Sequence, residues 1–65
     1  MKRKPFRLQV ITATNCILCR EEEDWTQEFS SVQEALDYAR TLPDAEGSQV
    51  EVLNETGQRF MIVYV

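Results

Sequence analysis

The segment Ser31-Val32-Gln33-Glu34 fixes the start of a helix, and it is the one place in these 65 residues where a helical period is sustained. In such a capping box the serine hydroxyl accepts from the first-turn amides while the glutamate reaches back to the cap. Val32, Ala35, Leu36 and Ala39 follow at i, i+3, i+4 and i+7 and form one apolar stripe, with Glu34, Asp37 and Arg40 on other faces. Pro43 disfavours helical geometry at Leu42, so the spacing predicts a helix of about eleven residues and a loop over 43–47. One helix has one stripe to bury, and the remaining chain must supply the surface that buries it.

That remainder reads as β-structure. Phe6-Arg7-Leu8-Gln9-Val10-Ile11-Thr12 alternates apolar and polar residues and is rich in β-branched side chains. Gln49-Val50-Glu51-Val52-Leu53 and residues 58–65 flank Asn54-Glu55-Thr56-Gly57, where Asn first and Gly fourth suit a type I turn closed by a glycine bulge. Before the helix, Trp25, Gln27 and Phe29 stand two apart and deliver the chain into the cap, which predicts a strand, although Trp25 and Phe29 at i, i+4 also suit a helix. The acidic run Glu21-Glu22-Glu23-Asp24 becomes a solvated tip. The expected fold is α+β, in the order strand, strand, helix, strand, strand: one helix packed on a four-stranded, mainly antiparallel sheet. A split of the N-terminal hairpin into three strands is the variant of this order.

Cys16 and Cys19 are the only cysteines, spaced as CxxC, and the chain has no histidine. A structural zinc site wants four thiolate or imidazole ligands, so one chain cannot close one. A redox CxxC needs its first thiol at a helix N-terminus, where the dipole and free N–H groups lower the thiol pKa. If a helix begins at the cysteines, strand, CxxC and helix stand in the thioredoxin order. If Thr14-Asn15 is a turn and Cys16 opens a return strand, the two side chains point to opposite faces with Cα atoms roughly 10 Å apart, beyond the ~7 Å a disulfide allows. The cysteines are then small core residues.

The stretch Val10-Ile11-Thr12-Ala13-Thr14-Asn15-Cys16-Ile17-Leu18-Cys19 resembles the opening of glutaredoxin-like proteins, in which a first strand runs into a CxxC at a helix start. The resemblance implies thiol-disulfide chemistry at Cys16 and Cys19. It covers about a quarter of the chain, and neither Pro5 nor Pro43 stands where such a fold puts its cis-proline. A second resemblance runs over roughly residues 25–60, through Trp25, Phe29-Ser30-Ser31, Glu34-Ala35-Leu36, Tyr38-Ala39-Arg40 and the hairpin from Val50 to Gly57. These residues are similar to small bacterial domains of unknown function built as two β-hairpins around one helix. That resemblance implies a fold and no catalytic residues.

Sixty-five residues make one domain that buries only about 60% of the surface its unfolded chain exposes. Residues 1–5 read as a basic arm and 6–65 as the domain. Apolar content of 43% and charged content of 28% are ordinary for a globular chain, and no apolar run approaches the ~20 residues of a membrane span. Met1-Lys2-Arg3-Lys4 resembles the charged end of a signal peptide, but Arg7 and Gln9 interrupt any apolar core, so the expected location is cytoplasmic with reduced thiols. Residues 1–7 hold four bases and no acid, while the rest holds three arginines against eleven acids. A body that acidic repels phosphate backbones, so nucleic acid is not an expected partner, and neither is a membrane.

With no histidine base and no glycine-rich phosphate loop, the residue types point away from catalysis. The expected function is a small protein-interaction or accessory module that self-associates as a homodimer or holds another protein, with no catalytic residues, cofactor or metal. The rival is a minimal thiol-disulfide protein with Cys16 as nucleophile and Cys19 as resolving thiol. The homodimer follows from Phe60-Met61-Ile62-Val63-Tyr64-Val65, which is apolar at both parities and therefore on both faces of a strand, of which one helix covers only one. Ile11 and Leu53 fall out of register with Leu8-Val10 and Val50-Val52 and extend that second face. Interface candidates are Met61, Val63, Val65, Ile11, Leu53 and the aromatic Trp25, with Tyr38 as a second aromatic anchor.

Overall fold

The structure is a computed structural model that describes residues 4–43 and 45–65. Its elements are β1 (Phe6–Thr12), β2 (Asn15–Arg20), β3 (Thr26–Phe29), α1 (Val32–Arg40), β4 (Gln49–Leu53) and β5 (Arg59–Tyr64). The strands form one sheet in the order β3-β2-β1-β4-β5. Every neighbouring pair is antiparallel except β1 and β4, which run parallel with Phe6 opposite Val50 and Leu8 opposite Val52. The sheet therefore has five strands rather than four and, though mainly antiparallel as expected, is mixed through the one parallel pair. The cause is a parity: three strands precede the helix, so β3 runs with β1, the helix returns the chain, and β4 must start in the direction of β1 again.

Residues 16–29, open between strand and helix in the sequence, are two strands joined by a turn in which Glu22 takes φ 68°. Ser31 caps α1 with extended backbone and accepts from Glu34 N–H at 3.2 Å. The Glu34 carboxylate reaches one residue further back than the capping box predicts, to the backbone N–H and the hydroxyl of Ser30. At the other end Thr41 closes the helix through its N–H and hydroxyl on Tyr38 O, so α1 spans nine residues.

One face of the sheet takes the helix. Phe6, Leu8, Cys16, Leu18, Val50 and Val52 point to it, and Ala35, Leu36 and Ala39 complete the buried cluster together with Ala45. Two of the three buried helix residues are alanines, whose small side chains let the helix approach the strands closely. The helix packs chiefly on β1, β2 and β3. It sits over the β3-β2-β1 side of the sheet, away from β5.

Lys4 and Pro5, assigned to the basic arm by sequence, are tied to the body. Lys4 O accepts from Arg20 Nε at 3.2 Å, Pro5 O accepts from Glu21 N–H at 3.1 Å, and the Lys4 ammonium lies 3.8 Å from Glu23. Residues 1–3 of that arm, and Asp44 in the loop after the helix, lie outside the described residues.

The β4–β5 turn has the predicted chemistry. Asn54 Oδ1 accepts from Thr56 N–H at 3.0 Å, the Thr56 hydroxyl at 2.8 Å and Gln58 N–H at 2.9 Å, while Gly57 N–H donates to Asn54 O at 2.9 Å. Gly57 has φ +89°, and a Cβ there would meet nothing within 4 Å. Strain is then purely a matter of backbone. Gly57→Val is expected to destabilise the domain by ~1–2 kcal/mol and Gly57→Asn by less, because asparagine tolerates the left-handed region better. Urea melts check this, and equal midpoints for all three proteins would contradict it.

Candidate functional site

The two cysteines are strand residues. Cys16 stands opposite Val10 and Phe29 on the helix side, buried, with its sulfur 3.7 Å from Phe29 O. Cys19 stands opposite Arg7 and Thr26 on the helix-free face and is half-buried. Both are free thiols. Burial, and after it the Glu34 carboxylate, push the Cys16 thiol above its ordinary value. A nucleophilic thiol needs the opposite shift and an exposed helix N-terminus, so the geometry supplies neither the pairing nor the activation that thiol-disulfide chemistry at this CxxC requires.

A labelling result follows. Alkylation near neutral pH is expected to mark Cys19 first and Cys16 only on unfolding, read by peptide mass mapping. The same shift makes stability depend on pH. A thiol whose folded pKa is raised holds its proton longer when folded, so its contribution is complete below the ordinary value of 9.0 and is lost as pH rises through the folded value. Rapid modification of native Cys16 at neutral pH would contradict both.

The remaining candidates divide by strand parity. Val63 stands opposite Val50 and Met61 opposite Val52, so both take the helix side, and Val63 and Val65 pack against the core. Met61, Val63 and Val65, expected on the uncovered face, stand on the helix side instead. Val50 and Val52 already belong to the core face, and directly opposed residues share a face. Val63→Lys would therefore disturb the core. The residues left out are Ile62, standing opposite Glu51, and Tyr64, opposite Gln49, on the helix-free face. Met61 remains 40% exposed despite its helix-side position, because the helix lies over β1–β3.

Ile11 is exposed beside the register shift between Val10 and Thr12, and Leu53 is half-buried on the helix-free face opposite Gln9. The structure does not gather these with Trp25. Trp25 packs against the core at the far side of the sheet, its ring centroid 6.4 Å from both Phe6 and Tyr38, and its indole N–H donates to Glu23 at 2.7 Å. Tyr38 continues this chain of rings to Phe29 at 5.3 Å. A shallow groove of about 280 Å³ runs beside it, lined by Trp25, Tyr38, Leu42, Pro43, Arg20 and Glu23 among others.

Phe60, Ile62 and Tyr64, which are not among the interface candidates of the sequence, are 57%, 38% and 67% exposed. The signal was present in the unbroken apolar run, but it lacked a polar marker to say which parity faced the core. The helix-free face as a whole is mixed rather than apolar. Glu51 stands there between Arg7, at 4.0 Å, and Arg59, at 3.9 Å. The apolar exposure concentrates on β5, at the edge.

Among the described residues no group of three or more histidine, cysteine, aspartate or glutamate side chains could hold a metal ion. Among the described residues no helix is long and apolar enough to cross a membrane. No family model, curated protein or solved structure matches the chain.

Proposed function

We propose that this protein is a small interaction module that self-associates as a homodimer and performs no catalytic step. The observation that supports this reading is β5, an edge strand whose Phe60, Met61, Ile62 and Tyr64 are all exposed in a domain too small to waste apolar surface. A symmetric copy of the same chain is the commonest partner for such a patch. Two free cysteines suit a reducing compartment and a cytoplasmic location.

Light scattering coupled to size exclusion is expected to report about twice the 7.6 kDa chain mass at high concentration, falling toward one chain on dilution. Tyr64→Lys, at the most exposed apolar position of the strand, is expected to give a folded monomer. A wild-type chain that stays monomeric throughout overturns the proposal and leaves β5 to a different protein.

A further inference from the structure

Self-association leaves open two geometries: stacking of the helix-free faces, or pairing of the β5 edges. Backbone hydrogen bonds decide what that edge offers. Val65 donates its N–H to Ser48 O at 3.0 Å and its carbonyl accepts from Gly47 N–H at 2.6 Å, so both its backbone groups turn toward the β4 side. In an antiparallel pair this orientation alternates residue by residue. Val63, two residues back and opposite Val50, therefore also bonds inward, while Ile62 and Tyr64 turn their N–H and C=O groups outward, where the sheet has no further strand.

The two edges of the sheet are managed differently. β3 is four residues long and carries Thr26, Gln27 and Glu28, the polar and charged residues that discourage a further strand. β5 is longer, and past Arg59 it has no charge and no proline. Nothing in its sequence guards it against pairing.

We propose, resting on the self-association reading above, that two copies of this chain join β5 to β5 as antiparallel edges about a two-fold axis, making one continuous ten-stranded sheet. The outward groups of Ile62 and Tyr64 of each copy then bond to those of the other, a pairing that is self-complementary because the two-fold exchanges the strands. Among the approaches open to two copies, charge favours this one. Each chain carries a net −4, and approach through the β2–β3 turn would set Glu21, Glu22 and Glu23 of both copies together. Approach through β5 sets the uncharged run Phe60 to Tyr64 of one copy against that of the other, and antiparallel order brings the Arg59 end of one copy toward the Val65 end of the other, next to Gly47 and the exposed Glu46. The helix-free face suits stacking less well, since burying it would desolvate Arg7, Glu51 and Arg59. A strand-edge contact is smaller than the ~1,200 Å² of standard interfaces, so dissociation on dilution is expected in the micromolar range.

Amide hydrogen exchange of the wild-type chain, read residue by residue above and below the dissociation concentration, tests the geometry. Edge pairing is expected to slow the Ile62 and Tyr64 amides by about tenfold or more in the dimer, with little change at Val63, already bonded to β4. The companion variant is Ile62→Pro, which removes an outward N–H that the monomer does not use and is tolerated on an edge strand. It is expected to be folded and monomeric. A dimer in which both outward amides still exchange as in the monomer overturns edge pairing while self-association stands, and this readout holds even if the proline variant does not fold. A wild-type chain with no dimer removes both proposals together.

Discussion

Leu8→Ala is expected to take a large share of the domain's folding stability and to lower its melting temperature steeply. Leu8 lies on β1, the middle strand of five, with a side chain that is 0% exposed and directly opposed by Leu18 on β2 and Val52 on β4. Truncation there removes transfer free energy and leaves a cavity that two hydrogen-bonded neighbours cannot close, at a cost of ~3–5 kcal/mol. A domain of this length has roughly 3–10 kcal/mol in total, so the loss takes much or all of it. Circular dichroism melts give the direct measurement, with the single tryptophan, Trp25, as a second probe beside the core. Ile11→Ala is the matching control. Ile11 is exposed, and its truncation is expected to cost no more than about 0.5 kcal/mol. Near-equal melts for the two variants would mean that the β1 register is wrong.

What could be read from the sequence was what local interactions determine. The Ser31 cap, the Val32-to-Ala39 stripe and the Asn54-to-Gly57 turn each involve residues within a few positions of one another, and each stands in the structure close to where the pattern puts it. The α+β architecture with one helix followed from them. The strand count and the β1–β4 pairing did not, because they join Phe6 to Val50 and depend on whether Trp25 to Phe29 adds a third strand before the helix. That segment carries both spacings. Two of its residues, Phe29 and Gln27, turn to the helix side only because they pair with Cys16 and Leu18.

The candidate surface was legible as a segment and illegible as a face. Residues 60 to 65 are apolar without interruption, which announces an uncovered strand but gives its two parities equal claim on the core. Val50 and Val52 settle the choice through the β4–β5 register, and they send Val63 inward and Ile62 and Tyr64 outward. Arg20 shows the converse difficulty. A charged residue beside an acidic run reads as solvent-facing, yet it is 5% exposed, because a neighbouring strand supplies an aromatic face for its guanidinium.

Phe6→Ala is expected to be as damaging as the leucine change, for a reason that involves this arginine. The Phe6 ring is 1% exposed, stands opposite Arg20 across the β1–β2 ladder and carries the Arg20 guanidinium 4.6 Å from its centroid, with Trp25 tilted against it. Removing the ring opens a cavity at a cost of ~3–5 kcal/mol and takes away the π face over which a buried cation is held. Phe6→Leu separates the two effects, since leucine restores most of the volume and none of the quadrupole. It is expected to recover much of the loss, leaving a deficit of about 1–2 kcal/mol. Arg20 keeps other contacts, among them its Nε–H on Lys4 O, so the pairwise part is isolated by a double-mutant cycle of Phe6→Leu with Arg20→Met. A coupling of about 0.5–2 kcal/mol is expected from urea melts of the four proteins. Additive effects would show that the guanidinium is held by its other contacts and that Phe6 serves the core only by its volume.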